Sequence, residues 1–154
     1  MEEEGLMSFP EILIDHFKPV YQIAICYIHY NGKILLLKRH HSSSSGNRWC
    51  APGGKLENGE TPLQTVIREV SEETAIQLNA KQLDFVQTIY IRVPQRKAEK
   101  DSILHLFKAT LPKNPLTEYT VVLNKEHTDY LWINPQECNM LNMIVGGKAL
   151  LQLL

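Results

Sequence analysis

Three glutamates, Glu69, Glu72 and Glu73, follow one another at i, i+3 and i+4 in Arg68-Glu69-Val70-Ser71-Glu72-Glu73. On a helix at about 100° per residue, with Leu63 at 0°, they fall at about 240°, 180° and 280°. Leu63, Val66, Ile67 and Val70 form an apolar stripe at about 0°, 300°, 40° and 340°. The wheel thus predicts three carboxylates away from the buried stripe, within about one turn. Like charges so spaced destabilise an isolated helix by a few tenths of a kcal/mol per pair. Compensation is required. Arg68 can supply part of it, and a hard divalent cation the rest, since glutamate oxygens and water suit Mg²⁺. The preceding Gly53-Gly54 step would let a backbone carbonyl approach such a cation closely, with no Cβ in the way.

The run from Gly54 through Glu60, Arg68, Glu69, Val70, Glu72 and Glu73 reads G-x5-E-x7-R-E-U-x-E-E, with U a bulky aliphatic residue. This pattern resembles the Nudix box, the signature of hydrolases that cleave nucleoside diphosphates linked to another group. Six fixed positions match by chance on the order of 10⁻⁵ over a chain of this length. The resemblance implies an α/β/α sandwich with a mixed central sheet. It also implies that the Gly53 carbonyl and the carboxylates of Glu69, Glu72 and Glu73 hold Mg²⁺ or Mn²⁺. Arg68 would orient the carboxylates, and Glu60 would pair with it from behind. Water would attack one phosphorus while the other phosphate leaves, a reaction governed by positioning and electrostatics. Two residues compete for the role of general base: Glu69, and Glu126 in a loop before a strand.

One position departs from the pattern. The box ends x-G-U, and here it is Thr74-Ala75-Ile76. That glycine usually serves a left-handed helix cap, where alanine costs about 1–2 kcal/mol. Substrate signals are fewer. Asn142 occupies a place similar to the purine-reading asparagine of MutT-like members, with an ordinary surface polar residue as the competing reading. Trp49 either packs in the core or borders the nucleotide, and Arg39 is a further candidate for substrate binding. Arg92, Arg96, Lys97 and Lys100 lie in a basic segment that could meet distal phosphates or simply be solvated.

Other elements must position these groups. Tyr21–Tyr30 and Lys33–Lys38 are near-continuous apolar runs around Asn31-Gly32, the strongest short hairpin signal, and suggest strands covered on both faces. Ser42-Ser43-Ser44-Ser45-Gly46-Asn47 reads as a loop. Thr61, Pro62 and Gln64 form a capping box with proline at the first helical position. Phe85–Val93, Ser102–Thr110 and Tyr130–Ile133 read as strands. Asn134-Pro135 is expected to open toward a C-terminal helix carrying Leu141, Ile144, Val145 and Leu150. Strands around one central helix, with another at the end, indicate an α/β layered domain.

The chain of 154 residues fits one domain spanning 1–154, with the acidic first ten residues expected to be flexible. A net charge of −1 argues against duplex nucleic acid or anionic membrane held by bulk charge. No apolar run approaches the ~20 residues of a membrane span. The N-terminus lacks the basic and apolar regions of a signal peptide. Cys26, Cys50 and Cys138 are odd in number and widely spaced, so free thiols in a reducing, cytoplasmic compartment are expected. The reading is a Mg²⁺- or Mn²⁺-dependent hydrolase, monomeric or homodimeric. Its expected substrates are nucleoside triphosphates, oxidised ones included. A nucleotide-sugar or dinucleotide diphosphatase, or a silent nucleotide-binding regulator, is the alternative.

Overall fold

The computed structural model describes residues 5–93, 100–113 and 119–154. Its centre is a long strand, β2 (Pro19–Tyr30), turned into β3 (Lys33–Arg39) by Asn31 and Gly32. Both turn residues have positive φ, 51° and 77°, as the hairpin signal requires. The two strands pair only at His29–Tyr30 with Lys33–Ile34 and then part. The chain fills the opening itself. Strand β4 (Trp49–Cys50) pairs with β3, and β5 (Gly53–Lys55) pairs with β2. The serine-rich loop Ser42–Asn47 makes the turns between β3 and β4, as expected.

Two long strands extend the sheet on the other side of β2. Strand β6 (Leu83–Val93) runs antiparallel to β7 (Lys100–Thr110), and β7 runs parallel to β2 along its length. Strand β8 (His127–Ile133) covers the outer edge of β3. The sheet is therefore mixed, as the resemblance implies. Of the first ten residues, 1–4 lie outside the described residues, while β1 (Leu6–Ser8) is paired along β6.

Period-two alternation sends apolar side chains to both faces. Ala24, Cys26, Ile28, Leu35 and Leu37 pack with Val66 and Val70 of α1 (Pro62–Thr74) in one core. Tyr27, Ile34, Leu36, Leu104 and Leu106 pack with Cys138, Met143 and Leu150 in the other. That two-sided covering explains why β2 and β3 lack polar alternation. The C-terminal layer differs from expectation. A 3₁₀ turn spans Pro135–Met140, and the only α-helix beyond it is α2 (Gly147–Leu151). Leu141, Ile144 and Val145 are not helical. Met143 instead bridges Trp49 in an extended segment, and Gly146, with φ 82°, breaks the chain before α2.

Helix α1 starts as its sequence predicts. Thr61 accepts from the Gln64 amide, and the Gln64 side chain accepts from the Thr61 amide. It ends on Ala75 at φ 64°, ψ 7°, with the Ala75 N–H donating to Ser71 O at 2.9 Å. The left-handed cap is thus retained without glycine. Thr74 helps, since its hydroxyl donates to Val70 O and accepts the Ile76 N–H. Ala75 is exposed, so its methyl contributes no core packing. Ala75→Gly should raise stability by about 1 kcal/mol, less whatever glycine's extra unfolded-state freedom costs. Thermal unfolding checks it; a lowered melting temperature would show that alanine carries no strain there.

Candidate active site

Gly53 and Gly54 form the floor of the site. A side chain on Gly53 would meet backbone, the Ala24 carbonyl and Ile25 Cα of β2, and one on Gly54 would displace the Glu69 carboxylate. Strand β5 therefore lies tight against β2 on one side and α1 on the other.

Arg68 holds the carboxylates on that floor. Its Nε and Nη2 donate to Glu60 at 2.8 and 2.9 Å, and its Nη1 donates to Glu69 at 2.9 Å and Glu72 at 3.3 Å. Its Nη2 also reaches the Lys55 carbonyl. Glu60 accepts further from the Thr65 hydroxyl at 2.6 Å and the Glu57 amide at 3.1 Å. The Arg68 guanidinium and then the Thr65 hydroxyl hold the Glu60 carboxyl down at about 2. Thr65, fully buried, is a positioning residue that nothing in the sequence distinguishes from a neutral helix residue.

The three glutamates separate by depth. The Glu72 side chain is 54% exposed, Glu69 14% and Glu73 2%. Glu73 at about 280° adjoins Val66 at about 300°, so it flanks the buried stripe instead of opposing it. The structure corrects the wheel there. Glu73 Oε1 accepts the Gly53 N–H at 2.9 Å. Burial pushes its carboxyl up to about 8, against that single amide. Burial also raises Glu69, with Arg68 opposing.

Glu126 and His127 approach from β8. One ligand atom from each of Glu73, Glu126 and His127 lies within 4.8 Å of the others. The loop glutamate singled out in the sequence is thereby joined to the helix. His127 is a site residue the sequence did not reveal, since a lone histidine carries no spacing signal. It is buried, and burial lowers its pKa, as does the nearby Arg39. Arg39, at the end of β3, donates to Ser44 O and spreads positive potential over Glu73, His127 and Cys50.

Trp49 and Asn142 are brought together. The Trp49 N–H donates to Asn142 O at 2.9 Å, and the Ile144 N–H donates to Trp49 O at 3.0 Å. Trp49 is half-buried against the second core, and the Asn142 side chain is exposed. The core-packing reading of Trp49 accounts for its buried part. The basic segment disperses: Arg92 is bound bidentately by Asp101, Lys100 lies over the Tyr21 ring, and Arg96 and Lys97 lie outside the described residues.

The donor set suits a divalent cation. A buried carboxylate with one amide partner faces a second carboxylate and an unpartnered imidazole nitrogen, Nδ1 of His127. Oxygen-rich clusters of this kind fit Mg²⁺ and Mn²⁺.

Residues 20–154 match the NUDIX domain. Over 94 residues, 61% of this chain and 77% of the relative, the chain is 37% identical to an 8-oxo-dGTP diphosphatase of Proteus vulgaris. It is 30% identical over 111 residues, 72% of each chain, to an asymmetrical bis(5'-nucleosyl)-tetraphosphatase of Sus scrofa. The MutT protein of Methanosarcina mazei superposes with a TM-score of 0.70 at 24% identity, over 88% of this chain and 92% of that one. The chain belongs to the Nudix family of hydrolases. It is a MutT-like pyrophosphohydrolase, and its substrates are nucleotides carrying linked phosphates.

Proposed function

We propose that the protein hydrolyses nucleoside triphosphates, oxidised ones among them, to the monophosphate and pyrophosphate. The observation that carries this is the Arg68 clamp on Glu60, Glu69 and Glu72 beside the buried Glu73. A silent nucleotide binder has no need of such an assembly. The Gly53 carbonyl and the carboxylates of Glu69, Glu72 and Glu73 would hold Mg²⁺ or Mn²⁺, with Glu126 alongside Glu73. Bound there, the cation would offset phosphate charge and lower the pKa of a coordinated water. Glu69 is assigned as the base that takes the proton of the attacking water, because it lies on the site floor beside Gly54 and its carboxyl is raised by burial. Arg68 keeps that carboxylate aimed, and Glu60 with Thr65 keeps Arg68 aimed. Residues 1–154 act in this reading as one domain, monomeric or homodimeric. Three free, buried thiols support a reducing, cytoplasmic setting. Among the described residues no helix is long and apolar enough to cross a membrane.

The similarity to the tetraphosphatase of Sus scrofa supports a second reading, a dinucleoside polyphosphate as substrate. A panel of triphosphates, dinucleoside polyphosphates and nucleotide sugars, assayed with Mg²⁺ and with Mn²⁺, separates the two. Monophosphate plus pyrophosphate from triphosphates is the expected result; turnover of dinucleoside polyphosphates alone would favour the second.

Base selectivity should come from the Trp49–Asn142 end, because phosphates are alike in every nucleotide. An amide offers both donors and an acceptor to a purine edge. Asn142→Ala should therefore reduce the spread of kcat/KM among purine nucleotides by about 1–3 kcal/mol, the range for a polar group left unpaired. A uniform loss across all substrates, or none, would show that Asn142 does not read the base.

A further inference from the structure

His127 has surroundings that hydrolysis by the glutamates alone does not require. It opens β8 and is buried. Its Nε2 lies 3.7 Å from Cys50 Sγ, and Cys50 Sγ lies 3.6 Å from the Leu37 carbonyl oxygen. Its Nδ1 lies 3.8 Å from Glu73 Oε2 and has no hydrogen-bond partner.

Cys50 Sγ lies within reach of both the Leu37 carbonyl oxygen and His127 Nε2, so the thiol occupies the Nε2 side of the ring. Nδ1 is left on the other side, buried and without a hydrogen-bond partner, facing Glu73 Oε2. At 3.8 Å the two are beyond hydrogen-bonding distance. A buried polar atom without a partner is costly. A cation held between Nδ1 and the Glu73 carboxylate supplies that partner. Glu126 lies within the same 4.8 Å grouping, and the Arg39 guanidinium, which donates to Ser44 O through its Nε, also bears on Glu73 and His127.

We propose that His127 Nδ1 is a nitrogen ligand to the divalent cation held by Glu73 and Glu126, and that it biases the site toward first-row transition ions over Mg²⁺. The proposal rests on the reading that these glutamates hold a cation. Imidazole nitrogen is a good donor to transition ions, whereas Mg²⁺ takes oxygen ligands and keeps its waters. Cys50 meets the ring from behind at Nε2, where metal-bound histidines commonly have an outer partner.

The test uses the full chain freed of metal. Mn²⁺ is added to unaltered protein, and pulsed EPR is recorded with natural and with ¹⁵N-labelled histidine. A nitrogen coupling that changes with the label is expected. Calorimetry then compares Co²⁺ and Mg²⁺ binding in wild type and in His127→Phe. The variant should weaken Co²⁺ by at least about tenfold, since losing even an outer partner of a ligand costs that much. Mg²⁺ affinity should scarcely change. Bound Mn²⁺ with no nitrogen coupling, or equal losses for Co²⁺ and Mg²⁺, overturns the proposal alone. Failure of Mn²⁺ to bind at all overturns the cation site and this proposal with it. The EPR measurement needs no variant, so a misfolded His127→Phe would not shield the proposal.

Discussion

Replacing Glu73 with glutamine is expected to lower turnover by orders of magnitude while leaving the fold intact. Glutamine keeps an oxygen for the Gly53 N–H, so the 2.9 Å bond survives. It removes the negative charge, and a neutral amide is a poor ligand for a hard divalent cation. Glu72→Gln should act in the same direction. Near-normal turnover in both variants would sink the proposed cation site. The Glu73 variant has a second signature in metal-free protein. The Glu73 carboxyl stands at about 8 in the folded chain against an ordinary 4.5. A raised acid contributes stability fully present below the unfolded value and lost as pH rises through the folded one. Metal-free wild type should therefore lose melting temperature between about pH 4.5 and 8, and Glu73→Gln should flatten that loss. Added divalent cation should restore the wild type at the upper end and not the variant. Identical pH profiles for the two proteins would show that Glu73 is not the group responsible.

Arg68→Ala is expected to damage both fold and activity, and by different routes. The substitution removes the guanidinium from Glu60 and Glu69, whose side chains are each only 14% exposed. Taking one partner from a largely buried ion pair leaves charge uncompensated and typically costs about 3–5 kcal/mol; partial exposure here points to the lower end. The contact with Glu72, 54% exposed, adds little. Turnover should fall further than instability explains, because the Glu69 carboxylate loses the bond that aims it. Arg68→Lys should recover part of the stability and little of the rate, since an ammonium lacks the fork that grips Glu60 through two nitrogens. Urea unfolding and kcat measured at a temperature where each variant is folded separate the two effects. A variant as stable as wild type would remove Arg68 from its supporting role.

Several elements were decided by the sequence alone, for local reasons. Asn31-Gly32 makes its turn because both residues tolerate positive φ, and Thr61-Pro62-Leu63-Gln64 starts α1 because its side chains satisfy the free amides. Helical spacing places Glu69 and Glu72 within reach of Arg68, and the resemblance of the box implies the Glu60 pairing that completes the clamp. Apolar spacing over Leu141–Leu150 suits a helix, whereas Trp49 offers Met143 a bridge and the left-handed Gly146 holds the helix off until Gly147.

Depth and company could come only from the tertiary structure. Glu69, Glu72 and Glu73 are the same residue type on the same helix, and only the approach of β5 and β8 makes one exposed and one buried. Glu126 is one of many surface acids until β8 pairs with β3 and carries it to Glu73. Cys50 and His127 stand 77 residues apart, with no motif to join them. Local chemistry is written in neighbouring residues, because short chain segments have few conformations. Burial, and the electrostatics that follow from it, depends on strands distant in sequence closing over the same helix face.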